Sequence, residues 1–325
     1  MQRTSRIPFL GLALTIQAAV ALAPAAAQAP AVDSALPAYA QSGAVSGGVR
    51  VAGNAAATAL FADVCEAFRK VNSAVTYSWD GDQSQQAAAA LIGGKADIAV
   101  LGRPMGAKER ADFERTFGQA PVEIVFALDA LAVVVPKQSP VQSLTASDVA
   151  ALFGANPSGR STAKLWSEVG VTDADYGKLP VEAHASRTID DLAGEISTKV
   201  LGGGELRADI RSQRTLGAIV TGAAKSGSVG IVSPSAVTGG VRIVPIAPSS
   251  GAAPVAPTSE TVASGAYPFG RKLYAYVNAS KGMQPQVAEL FRFALSREGQ
   301  RAVASRGGLP LTAAMADAER RKLGR

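Results

Sequence analysis

Hydrophobic positions along this chain fall into two alternating rhythms. Val49 to Ala52, Val75 to Trp79 and Asp97 to Leu101 are short runs suited to strands. Between and after them, Ala55 to Val71, Ser84 to Ile92 and Lys108 to Phe117 carry apolar residues at helical spacing, with Leu60, Val64, Phe68 and Val71 as one stripe. Such alternation predicts βαβ units and a largely parallel sheet. Ile124 to Leu128 and Leu131 to Val135 are two more apolar runs, separated only by Asp129-Ala130. Leu144 to Gly154 predicts a short helix, which Thr145 can cap, Asp148 can favour in its first turn and Gly154 can end.

A second α/β segment runs from Leu179 to Val232. It has helical patterns over Leu192–Leu201 and Leu216–Ala224, a stop at Gly202-Gly203-Gly204, and a turn into a strand over Gly227–Val232. Pro245 to Pro257 is rich in Pro, Ala, Ser and Gly and predicts a loop. The chain then offers an aromatic-rich strand from Arg271 to Asn278, an amphipathic helix through Phe291 and Phe293, a second helix led by Ser296, and a stop at Gly308-Leu309-Pro310-Leu311. No internal repeat is present.

The N-terminus follows a different logic. Arg3 and Arg6 precede an apolar stretch from Ile7 to Leu22, and Ala25-x-Ala27 and Ala27-x-Ala29 both fit a cleavage site. Residues 1–29 are therefore expected to be a signal peptide for export to the periplasm, with no stable membrane insertion after cleavage. A retained anchor is the alternative. Residues 30–48, with Pro30, Pro37 and several Gly and Ser, read as a flexible lead. Loss of Arg3 and Arg6 lowers the formal charge from +6 to +4. The remaining basic residues are dispersed, apart from the terminal Arg320-Arg321-Lys322 run, which reads as solvated. Aromatic residues are not interleaved with basic clusters, so nucleic acid is not an expected partner.

Candidate chemistry is sparse. The chain has one cysteine and one histidine, so neither an internal disulfide nor a Cys/His metal cluster can form. Cys65 lies on the apolar stripe and reads as a buried hydrophobe. No G-x-S-x-G is present. No enzyme activity, metal or cofactor is expected.

Several ordered landmarks resemble the phosphate-binding periplasmic protein family. They are Gly94-Lys95-Ala96-Asp97-Ile98-Ala99 with Arg103-Pro104-Met105, Asp129 to Val135, Trp166-Ser167-Glu168-Val169-Gly170, Gly227 to Val232, and the C-terminal string from Tyr267 to Leu311. The resemblance covers most of residues 49–312. It implies an α/β fold of two lobes, each a mixed, mostly parallel sheet flanked by helices, joined by hinge strands. The implied first lobe is discontinuous, 49–133 plus 241–325, around a second lobe at 134–240.

It also implies anion capture by helix starts, hydroxyls and one Arg, supplied by four loops. At the first loop, Gly53-Asn54-Ala55-Ala56 stands where the family has Gly-Ser-Ser-Thr, so Ala56 and Ala57 are expected to offer backbone donors, Asn54 reads as a helix cap or a ligand contact, and Thr58 is a substitute hydroxyl. At the second, Ser84 falls on the family's binding serine and reads as a ligand donor or an ordinary helix cap, with Asp80 and Asp82 nearby. At the third, Gly102 replaces an Asp or Ser whose carboxylate form would accept the proton of hydrogenphosphate. At the fourth, Ser186-Arg187-Thr188 replaces Ser-Gly-Thr, and Glu182 occupies the upstream Arg position. His184, two residues before Ser186, reads as a structural strand residue or as a pH-sensitive cleft residue.

The implied function is capture of inorganic phosphate or a related oxyanion by a monomer, with an ABC-type permease as partner. Ala56, Gly102 and Glu182 keep open a diverged pocket serving another ligand or a surface, adhesive role. N-terminal sequencing of the exported chain is expected to begin at Gln28 or Pro30; a product retaining Arg3 to Leu22 would favour the anchor.

Overall fold

The computed structural model describes residues 30–53, 55–80, 84–155 and 161–323. The first apolar rhythm gives β1 (Gly47–Gly53), α1 (Ala55–Val71), β2 (Val75–Asp80), α2 (Ser84–Ile92), β3 (Ile98–Leu101), α3 (Ala107–Phe117) and β4 (Val122–Ala130). After one residue the chain enters β5 (Ala132–Pro136), then β6 (Leu144–Thr145) and α4 (Ala146–Phe153). Thr145 Oγ1 accepts the Asp148 N–H, and the Asp148 carboxylate accepts the Thr145 N–H, closing a reciprocal cap. Next come β7 (Glu182–Ala185), α5 (Asp190–Glu195) with a π-helical continuation at Ile196–Val200, β8 (Arg211–Ser212), α6 (Leu216–Ala223) and β9 (Ser228–Val232). β10 (Val241–Ile243), β11 (Ile246–Ala247), α7 (Ser259–Ala263), β12 (Gly270–Val277), α8 (Pro285–Ala294), α9 (Arg297–Ser305) and α10 (Ala313–Arg320) complete the order.

Two five-stranded mixed sheets result. The first has the order β2-β1-β3-β12-β4, with β1 parallel to β2 and β3, and β12 antiparallel to both β3 and β4. Its strands alternate between faces. Val49, Val51, Ile98 and Val100 join α1, α8 and α9 in one core, while Ala52, Ala99 and Leu101 meet α2 and α3 residues such as Leu91 and Phe113 in another. The second sheet has the order β10-β5-β9-β7-β8, antiparallel on the β10 side and parallel on the β8 side, with α6 packed against β7 and β9.

The implied return to the first half at residue 241 is too early. β10 at 241–243 pairs with β5 inside the second sheet, and β11 forms a small parallel ribbon with β6. The chain regains the first sheet only through the segment before β12. These strands escape sequence reading because two or three residues carry no periodicity.

The lead at 30–48 is not loose either. Leu36 is fully buried, and the Tyr39 ring lies edge-on to Phe68 and Phe293, with centroids at 6.3 and 5.1 Å. Glu289, itself buried, accepts from Tyr39 Oη at 2.8 Å, Ser42 N at 3.1 Å and Arg292 Nη1 at 2.9 Å, and bonds the Ser42 hydroxyl. Burial alone would raise the Glu289 pKa; these donors outweigh it and hold the carboxyl below its usual range. Two anchors, one aromatic and one ionic, thus tie down a segment whose composition suggests disorder. The basic terminal run is also engaged: Lys322 Nζ donates to Glu123 O at 3.0 Å and Arg320 Nη1 to Leu295 O at 2.9 Å.

The halves join at a buried polar node. Arg271 lies opposite Asp129 in the β12–β4 register, and its Nε and Nη2 donate to Asp129 Oδ2 at 2.8 and 2.5 Å. Ser233, just past β9, donates to Asp129 Oδ1 at 2.6 Å. Between β4 and β5, Leu131 N donates to Phe269 O at 2.9 Å, and Leu131 O accepts from Tyr267 Oη at 2.9 Å. Asp129→Ala would leave the Arg271 guanidinium buried without its counterion, and is expected to destabilise the fold by about 3–5 kcal/mol. The urea unfolding midpoint measures it, and a midpoint matching that of wild type would deny the node this weight.

Candidate functional site

β1, β2 and β3 are parallel neighbours, so their C-terminal ends place three strand-to-helix connections side by side: 53–55, 80–84 and 101–107. Carboxyl ends of parallel strands are where open α/β sheets receive ligands, because the following helices begin there with unpaired N–H groups. The second sheet contributes the connection after β7, residues 186–189, and α2 touches α5 across the gap.

In the first connection Asn54 lies outside the described residues, and only the backbone of Ala56 is described, in the first turn of α1. Ala57 is fully buried, its methyl part of the core, so only its N–H is available. Thr58 is better placed than its position suggests. A Cβ built on Gly53 would lie 2.2 Å from Thr58 Oγ1, so this hydroxyl packs directly against the glycine that ends β1. The oxygen is buried and has no hydrogen-bond partner among the described residues, a cost that a ligand could offset.

In the second connection Ser84 opens α2; its side chain, like those of Asp80 and Asp82, lies outside the described residues. The third is rigid. Gly102 is buried, and Arg103 forms a two-armed ion pair with Glu109, both N–O distances 2.8 Å. Arg103 beside it holds the Glu109 carboxyl below the usual range. Met105 N donates to Tyr276 Oη at 2.8 Å, and that hydroxyl donates to Glu123 Oε2 at 2.7 Å. Arg110 bonds Glu123 and lies over the Tyr276 ring, 5.6 Å from its centroid. Tyr276 is fully buried.

In the fourth connection Ser186, fully buried, accepts from Thr188 N at 3.1 Å and Ile189 N at 2.9 Å, and so shapes the loop. Thr188 is exposed. Arg187 is also exposed; its Nη2 donates to Leu206 O at 3.3 Å and Arg207 O at 2.6 Å, and its N–H to Ser212 Oγ at 3.1 Å. Glu182 faces His184 Nε2 at 3.1 Å and Arg211 Nε at 3.8 Å.

His184 is buried under α6. A Cβ on Gly222 would fall 2.2 Å from its Nδ1, so the ring occupies the space that this glycine leaves. Burial lowers its pKa and favours the neutral ring, and this outweighs the opposing pull of the Glu182 carboxylate. This is the strand-residue reading. Cys65 is buried and its thiol pKa is pushed up by burial, as expected for an inert hydrophobe. Among the described residues no group of His, Cys, Asp and Glu is arranged to hold a metal, and no helix is long and apolar enough to cross a membrane.

One feature was not anticipated from sequence. A cavity of about 220 Å³ adjoins the third connection, walled by Gly102 and Pro104, by Gly270, Arg271, Lys272 and Tyr274, by Val262, and by Glu195 and Lys199 from the second half. Lys272 is the exposed position on an otherwise largely buried strand.

Known proteins share this fold. A family model described as a PBP superfamily domain matches residues 25–298. The phosphate-binding protein PstS of Pseudomonas aeruginosa is 30% identical over 305 residues, covering 92% of this chain and 94% of the relative. Among solved structures, an ABC-type phosphate transport receptor from Vibrio cholerae superposes with a TM-score of 0.61 at 18% identity, covering 80% of this chain and 99% of the other. PstS from Borrelia burgdorferi gives 0.57 at 19% identity, with 82% and 99% covered. With a family match across most of its length and a full-length relative at this identity, the chain belongs to the PBP superfamily, among relatives of the phosphate-binding protein PstS.

Proposed function

We propose that this protein is an exported solute-binding protein that captures phosphate or a related oxyanion between two lobes and hands it to an ABC-type permease, without catalysis. In this reading one lobe carries the first sheet and the other the second. Residues 129–132 and 264–270 cross between them, and the monomer is the working unit. The observation that carries it is the row of three helix-starting connections at the carboxyl edge of β2, β1 and β3, with α2 touching α5, the helix after the β7 loop, in a chain 30% identical to a phosphate-binding protein along 92% of its length. Backbone N–H groups at such positions bind anions without needing a formal cation.

Each loop then has a part. Ala56 and Ala57 supply N–H groups from the first turn of α1, with Asn54 before them, and the Thr58 hydroxyl faces the same point. Ser84 opens α2 as a second donor. Gly102 allows close approach of the ligand to the backbone. Ser186 and Thr188 form the opposing loop, and Arg187, anchored through Nη2, keeps its other N–H donors for the anion. Closure of one lobe over the other would complete the shell.

Calorimetric titration of the mature chain with phosphate, sulfate, molybdate and a neutral solute is expected to show phosphate binding. Absence of binding to every oxyanion would sink the reading in favour of a diverged pocket. Thr58→Val is expected to weaken phosphate binding about tenfold or more, since a hydrogen bond to a charged group contributes about 1.5–3 kcal/mol. The ligand-free variant should unfold no earlier than wild type, because a buried, unpaired hydroxyl has been removed. An unchanged dissociation constant would exclude Thr58 from the site. Arg187→Ala is expected to cost a similar factor, read by the same titration, and equal affinity would assign Arg187 to holding residues 206–207 alone.

A further inference from the structure

The cavity beside Gly102 is larger than a single tetrahedral oxyanion at the helix starts requires. A water molecule occupies about 30 Å³ in the liquid, so about 220 Å³ is space for several more heavy atoms. Gly102 forms part of its wall and belongs to the third connection, so in the oxyanion reading the cavity adjoins that connection through a residue with no side chain.

Its charge is specific. Arg271 is neutralised by Asp129 at 2.5 Å. Glu195 and Lys199 face each other at 3.8 Å, long for an ion pair, which leaves the ammonium donors of Lys199 largely unspent. Lys272 is exposed at the cavity wall and forms no ion pair among the described residues. The lining therefore carries one cation more than its carboxylates balance. Lys199 comes from the second half of the molecule and Lys272 from the first, so a group between them would be held from both sides. Tyr274 adds a phenol to the same wall.

From this geometry we infer that the site takes phosphoryl compounds bearing a second anionic group, one phosphoryl at the helix starts and the other anion between Lys199 and Lys272. The inference rests on the oxyanion reading above and names the ligand class of that site. A substituent carrying an ammonium would meet two lysines and be disfavoured. A neutral substituent would fit the space but gain no charge-assisted contact. The second anion also bridges the two halves, and so favours the closed arrangement more strongly than a single phosphate does.

Calorimetry on the mature chain with phosphate, methyl phosphate and pyrophosphate tests this, using wild type, Lys199→Ala and Lys272→Ala, with thermal melting to verify folding. Pyrophosphate should bind at least as tightly as phosphate and about tenfold more tightly than methyl phosphate. Each lysine variant should lose about tenfold for pyrophosphate, as expected for one charge-assisted contact, and less than about twofold for phosphate. Rejection of pyrophosphate while phosphate binds would overturn the inference and leave the oxyanion reading standing. So would equal losses for both ligands, or methyl phosphate matching pyrophosphate. Failure of all three to bind would overturn the oxyanion reading itself.

Discussion

The structure turns on one buried ion pair, Asp129 with Arg271. Both residues are nearly excluded from solvent, and burying two charges is costly unless each is fully engaged. Here the carboxylate receives two guanidinium N–H groups and the Ser233 hydroxyl, and so satisfies three chain segments at once. One segment leaves the first sheet, one leaves the second, and one returns. A hydrophobic contact could fill the same space, but it would not fix which three backbones meet or in what register. Leu131 needs that register, because its N–H and carbonyl are both held by the returning segment.

The candidate site inherits its geometry from this node. β12 carries Arg271 at one end and Tyr276 further along, and the Tyr276 hydroxyl holds Met105 of the third connection. The strand that closes the junction between halves therefore also positions a loop of the site. Its Lys272 and Tyr274, between those two residues, line the cavity beside Gly102. The eight residues of β12 thus carry a junction residue, the anchor of a site loop and part of the cavity wall.

Most of this framework was legible in the sequence where information is local. β1 to β5 and α1 to α4 have apolar runs long enough to show their period, and Thr145 with Asp148 declared a helix start that the structure closes reciprocally. β7, with the sequence Glu182-Ala-His-Ala, showed only through His184 as a strand residue and without bounds, because alternating small and polar residues carry little period until α6 covers His184. β10 and β11 were hidden for the same reason: pairing across the sheet, not composition, makes them strands. The lead at 30–48 misled because two anchors, Leu36 and Tyr39, outweigh its Pro, Gly and Ser content. The family motifs singled out four connections, each of which follows a strand, yet the Thr58 hydroxyl against Gly53 and the cavity beside Gly102 are products of tertiary packing that no spacing encodes.

The place of β12 sets an order of assembly. It is the last strand in the chain, but it lies between β3 and β4 rather than at an edge. Until about residue 277 is available, the first sheet is split and both β3 and β4 present unpaired edges. The second sheet is built from an uninterrupted stretch, β5 to β10, and needs nothing from either terminus. Long-range closure of this kind is slow because the loop must be ordered before its contacts form. The first sheet is therefore complete only when the C-terminal part of the chain has joined it.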